Sequence, residues 1–251
     1  MPIALLVAAL FGLLIGSLVD VVAYRLLRSE SLIAPGSQCP TCAHPVRPCN
    51  SVAVLSWLAR RGRRCDCGEP VPARGAVVEA LTALLFAAVV AVHHDAAAQL
   101  VLGLVLVAFL VPLALIDLDL RILPDRLTAP AAVLALGLGV ALDPEGEPER
   151  LIAALAAGGF LFVAWLLKPG GMGLGDVKLA AAMGLFLGRG AGVAIVVALV
   201  AGVLVGAAIM QRKGIVAGRT TTVAFGPFLA LGAVVALLAG EPLLNAYLVA
   251  F

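Results

Sequence analysis

The chain has 251 residues, 63% of them hydrophobic and 13% charged, with a formal net charge of +2. Soluble globular proteins carry about 25% charged residues, so this composition excludes an ordinary water-solvated domain and makes lipid the main solvent. A membrane span needs about 20 apolar residues, and this length leaves room for roughly eight spans with short loops.

Apolar runs predict spans at 2–22, 76–92, 99–116, 127–142, 151–167, 177–188, 191–210 and 223–239. The first run lacks the basic n-region of a signal peptide, since the first basic residue, Arg25, follows it; it reads as a retained span. The sixth is short and flanked by glycine, and the apolar residues 242–251 are too few to cross and are expected at the interface. The expected fold class is an all-α polytopic membrane protein with about eight transmembrane helices and a cytoplasmic Cys-rich loop. Three regions follow: 1–24 as the first span, 25–74 as the loop, and 75–251 as the membrane core.

Charge distribution sets the expected orientation. Fifteen of the 17 basic residues fall in the loop after the first span and in alternate loops beyond it; Arg150 and Arg189 are the exceptions. By the positive-inside rule that side is the cytoplasm, with both termini outside. Asp117 and Asp176 then lie on one face.

These two aspartates are the strongest chemical signal. Asp117 ends the apolar run from Leu100 to Ile116, and Asp176 lies in Gly171-Met172-Gly173-Leu174-Gly175-Asp176-Val177-Lys178. A carboxylate beside an apolar span is costly and usually functional. Two held close share one proton: the ionised member draws a proton from water while the protonated one polarises a peptide carbonyl, and no metal is needed. The glycines let an extended substrate backbone approach. Structural readings stand beside this one. Asp176 could cap the sixth helix, and Asp117, Asp119 and Asp125 could be loop acids paired with Arg121 and Arg126. A transporter using the same acids for protons or cations is the alternative function.

The loop carries Cys39-x-x-Cys42 and Cys65-x-Cys67, a separation suited to a four-ligand zinc site. Cytoplasmic thiols favour zinc over disulfides; two reduced thiol pairs are the other reading. Only Asp66 separates the second pair, which alters its bite.

The chain resembles the type IV prepilin leader peptidases, membrane aspartyl proteases with a Gly-x-Gly-Asp motif. The likeness rests on Gly16-Ser17, Tyr24-Arg25-Leu26, Cys39-Pro40-Thr41-Cys42, Leu55-Ser56-Trp57-Leu58, Arg61-Gly62-Arg63 and the Glu79–Leu84 stretch. It continues through Ile116-Asp117-Leu118-Asp119, Leu123-Pro124-Asp125, the Gly-x-Gly-Asp-x-Lys run and Phe225-Gly226-Pro227-Phe228. The resemblance implies catalytic roles for Asp117 and Asp176, with Gly173, Gly175, Lys178, Asp119 and Asp125 supporting the catalytic loops. It implies a bacterial cytoplasmic-membrane enzyme that cuts prepilin or pseudopilin substrates, which pair a basic leader with an apolar helix. It also implies S-adenosylmethionine-dependent N-methylation of the new terminus, attached to the loop with Gly62 at a matching position. The family's second cysteine pair has two intervening residues, and this departure bears on the methyltransferase more than on the peptidase. No nucleic-acid partner is expected.

Overall fold

A computed structural model of the chain describes residues 1–27, 54, 73–168, 172–213 and 224–250. Among them lie eight α-helices: α1 (Pro2–Leu27), α2 (Ala73–His93), α3 (Ala97–Leu120), α4 (Asp125–Leu142), α5 (Glu147–Leu167), α6 (Leu174–Leu187), α7 (Gly190–Lys213) and α8 (Gly226–Ala250). A 3-10 turn, Pro144–Gly146, joins α4 to α5, and the described residues contain no strand. The all-α reading therefore holds, and helices suit lipid because each satisfies its backbone polar groups within its own segment without water.

Six helices, α1–α5 and α7, contain segments long and apolar enough to cross a bilayer. Two of the eight expected spans are shorter: α6 has 14 residues, and the apolar part of α8 is Gly226–Gly240. Residues 242–250 extend α8 as one helix through Pro242; proline removes one N–H from the ladder, and apolar surroundings favour keeping the remaining bonds.

The chain forms two compact units, Met1–His94 and Asp95–Phe251. In the first, α1 packs on α2 through Gly12 and Gly16. A Cβ at these positions would lie 2.7 Å from Ala83 Cα and 2.7 Å from Glu79 Cα respectively, so the small-xxx-small spacing lets the two backbones touch. Glu79 is 1% exposed, and its carboxylate accepts a 2.7 Å hydrogen bond from the Val54 N–H. It is a buried acceptor.

In the second unit, Leu102, Leu106, Leu110 and Leu113 of α3 share a core with Met183 of α6 and Leu229 of α8. Small residues again set the spacing: Gly184 of α6 lies so close to the Ala154 backbone of α5 that no Cβ fits between them. At the α4–α5 turn, buried Arg150 pairs with Glu147 at 2.9 Å and with Asp143. Arg189 pairs with Glu149 at 2.8 Å. Both basic residues that broke the charge asymmetry are thus neutralised by acids beside them.

Candidate functional site

Asp117 lies on the buried stripe of α3. Leu102, Leu106, Leu110 and Leu113 are buried along this helix, and Asp117 follows one i+4 step later, so the face that buries the leucines also turns the carboxylate inward. It is 5% exposed. Its Oδ2 accepts a 2.8 Å hydrogen bond from the backbone N–H of Gly226, the first residue of α8. The first N–H groups of a helix have no partner within it and carry its positive dipole end, so α8 offers Asp117 a ready anion site. Pro227 follows, preset for a first helical turn. A Cβ on residue 226 would stand 2.6 Å from Asp117 Oδ2, which makes glycine a condition of the contact.

The chain then turns sharply. Arg121 caps α3 in the left-handed region at φ 56, its N–H bonded to the Asp117 carbonyl at 2.8 Å. Glycine or asparagine usually fills that position, so a non-glycine residue is held there beside the carboxylate. The turn leads through Leu123 and Pro124 into α4, where the Thr128 hydroxyl donates to the Pro124 carbonyl at 2.9 Å.

Asp176 sits in the first turn of α6, just ahead of the apolar segment of that helix, and is 6% exposed. Its Oδ2 accepts from the Gly173 N–H at 3.1 Å, and its own N–H donates to the Gly173 carbonyl at 3.1 Å. It is therefore a helix cap as well as a candidate acid, and the two readings prove compatible: one oxygen caps while Oδ1, also buried, has no hydrogen-bond partner among the described residues. Burial pushes the carboxyl up to about 6, against the lowering effect of the Gly173 N–H, and the nearby Asp117 carboxylate raises it further. The two aspartates thus act on each other through space. Gly175 helps bring them together: a Cβ there would lie 2.8 Å from Leu123 Cβ, so the first turn of α6 rests on the α3–α4 loop.

Of the supporting residues, Lys178 and Asp125 form an exposed pair, with Nζ 2.8 Å from each carboxylate oxygen. This bridge joins the starts of α6 and α4, where the sequence had suggested Arg126 as the acid's partner. Asp119 is exposed on α3, unlike Asp117 two residues earlier. Gly226 had been noticed as part of a motif but given no role. The available signal was the Gly-Pro step opening an apolar helix, which marks a helix start but not the acid it would meet. Gly62 and the proposed metal ligands Cys39, Cys42, Cys65 and Cys67 lie outside the described residues. Among the described residues, no group of three or more His, Cys, Asp or Glu side chains could hold a metal ion.

Comparison with known proteins adds independent findings. The profile described as the bacterial peptidase A24 N-terminal domain matches residues 10–93, and that of the type IV leader peptidase family matches residues 104–210. A protein of Aeromonas hydrophila named prepilin leader peptidase/N-methyltransferase is 34% identical, over 96% of this chain and 93% of its own. A Pseudomonas aeruginosa protein of the same name is 32% identical, over 98% of this chain and 94% of its own. One from Myxococcus xanthus is 39% identical over 70% of this chain and 54% of its own. No solved structure matches the chain.

Proposed function

The chain belongs to the type IV leader peptidase family, and from that premise we propose a membrane aspartyl endopeptidase whose catalytic pair is Asp117 and Asp176. The observation that carries this assignment is two buried carboxylates, each anchored through one oxygen by a glycine N–H and each lying in the other's field. The pair titrates as a unit holding one proton. Asp176, raised by burial, carries that proton on Oδ1; Asp117, facing the N-terminus of α8, is the base. Asp117 takes a proton from water as the oxygen attacks the scissile carbonyl, while Asp176 donates to the carbonyl oxygen. Collapse of the tetrahedral intermediate breaks the C–N bond as Asp176 takes a proton back from one hydroxyl of the gem-diol and the proton held by Asp117 passes to the leaving amine. The products are a carboxylate leader and a new N-terminal amine.

The substrate is a type IV prepilin or pseudopilin whose apolar helix lies in the bilayer, so that its cleavage site meets the pair level with the ends of α3 and α6. Gly173 leaves space beside Asp176 for the extended segment. Lys178, bridged to Asp125, and exposed Asp119 support the two loops. The peptidase core is residues 75–251. Residues 25–74 form a cytoplasmic module in which Cys39, Cys42, Cys65 and Cys67 hold zinc and Gly62 belongs to the methyl-transfer region. S-adenosylmethionine, when bound there, supplies a methyl group to the new amine. The protein resides in the bacterial cytoplasmic membrane, with the catalytic pair on the cytoplasmic side and both termini outside. The transporter reading gains no support, because the relatives carry peptidase names.

Co-expression with a type IV prepilin, followed by intact mass of the product, tests the reading. Loss of the leader supports the peptidase, and one further methyl group on the product supports methylation. An uncleaved prepilin beside a folded, membrane-inserted chain contradicts the proposal. Zinc content measured with Cys39→Ser and Cys65→Ser tests the metal separately, since a structural zinc at these thiolates falls with either substitution.

A further inference from the structure

A second feature lies at the other end of the membrane core. Between α5 and α7 runs a groove of about 480 Å³, with walls that include Ala156, Phe160, Gly192, Ile195 and Leu199. That volume lies within the roughly 300–1,000 Å³ usual for small-molecule sites. Its polar lining is confined to one end, where Glu149 and Arg189 stand. Ile152, Phe160 and Val196 on its rim are more than half exposed, so it opens toward the surface that the bilayer covers. From Arg189 to Leu199 the α7 wall rises about 15 Å at roughly 1.5 Å per residue. The hydrocarbon core is about 30 Å thick, so the groove has the depth of one leaflet.

We infer that this groove binds one phospholipid, its acyl chain between α5 and α7 and its zwitterionic head on the Arg189–Glu149 pair. The charges suit such a head. Arg189 Nη2 lies 2.8 Å from Glu149 Oε2, yet the arginine side chain stays 77% exposed and the glutamate side chain 43% exposed. The guanidinium keeps donors for a lipid phosphate, while the carboxylate beside it faces the ammonium of the same head. The Arg189 N–H also donates to Glu149 Oε1 at 3.3 Å, which fixes the pair across the mouth. The floor is open at Gly192, where a Cβ would meet nothing within 4 Å. A substrate helix presented for cleavage is a poorer fit. The mouth lies at the α6–α7 turn beside Gly188, and the twelve-position step along α6 from Asp176 to its cap Gly188 separates it from the catalytic pair by about 18 Å.

The test uses the full chain reconstituted in vesicles of equal phosphatidylethanolamine and phosphatidylglycerol, then extracted and weighed by native mass spectrometry. One retained phosphatidylethanolamine per chain is expected. Gly192→Phe, which fills open space, should lower retention at least fivefold, and Arg189→Gln should abolish the preference between the two heads. Prepilin cleavage should be unchanged in both variants, which shows that they fold. Undiminished retention in a cleavage-competent Gly192→Phe overturns the inference. So does equal retention of both lipids by the parent chain, or a photocrosslink from position 192 that captures prepilin instead of lipid. Should Gly192→Phe fail to fold, the lipid preference of Arg189→Gln decides alone.

Discussion

The two ends of the membrane core treat buried charge in opposite ways. At the α4–α5 turn, Arg150 sits between Asp143 and Glu147, a cation shared by two acids. At the other end Asp117 and Asp176 are equally buried, yet the polar partners the structure gives their side chains are backbone N–H groups of Gly226 and Gly173. The charge of Arg121 also acts on Asp117, yet both carboxylates are held by backbone N–H groups rather than by the close ion pairs that make the Arg150 cluster a staple. On the proposed function the contrast separates a cluster that holds helices together from one that holds a reaction, and it can be broken at either end.

The largest expected effect is at the aspartate end. Asp117→Asn and Asp176→Asn should each lower kcat/KM for prepilin by at least about 100- to 10,000-fold, the usual weight of a general acid or base, with the two losses non-additive because the pair acts as a unit. Next comes the compensated end. Arg150→Met strands two carboxylates and should destabilise the protein by about 3 kcal/mol, read as a lower midpoint in thermal unfolding, while the turnover of the molecules still folded is unchanged. Gly226→Ala lies between the two kinds of effect. Its new Cβ would push on Asp117 Oδ2, and a displacement near 1 Å costs about 100-fold in rate with little change in melting.

Two smaller effects sharpen the comparison. Because burial raises the Asp176 carboxyl from its ordinary 3.8 to about 6, the folded chain binds more protons than the unfolded one between those values. Stability therefore falls as pH rises across that window. Asp176→Asn should flatten this part of the profile and melt no lower than the parent at neutral pH, the reverse of Arg150→Met. A steeper fall in the variant would contradict the raised carboxyl of buried Asp176. The smallest effect is expected from Lys178→Met: the bridge to Asp125 is more than half exposed on both sides, so it contributes no more than about 1 kcal/mol.

How far this contrast was legible in the sequence depends on the range of each contact. Hydropathy located the helices because lipid makes the period of apolar residues nearly uninterrupted, and α1–α5 and α7 enclose the runs expected for them. Asp117 and Asp176 stood out because a carboxylate beside such a run is unusual. The Asp176 cap was also visible, since its partner Gly173 is three residues away. Gly226, 109 residues from Asp117, could not be paired with it by spacing; that contact depends on how α8 packs. Gly175 had been read as clearance for substrate, but its missing side chain makes room for Leu123, a packing need that no local pattern displays. Arg150 and Arg189 looked like exceptions to a charge rule until their acids were placed beside them. That α8 continues through Pro242 was not read from the sequence, because proline more often ends a helix than continues it.

The central claim is that these two carboxylates, and not the ion-paired cluster, carry the chemistry. Its most direct test is prepilin cleavage by the reconstituted full chain, followed by intact mass spectrometry, for the parent, Asp117→Asn, Asp176→Asn and Arg150→Met at matched amounts of folded protein. Leader removal is expected from the parent and from Arg150→Met, and none from either aspartate variant. Full cleavage by Asp117→Asn or Asp176→Asn would contradict it.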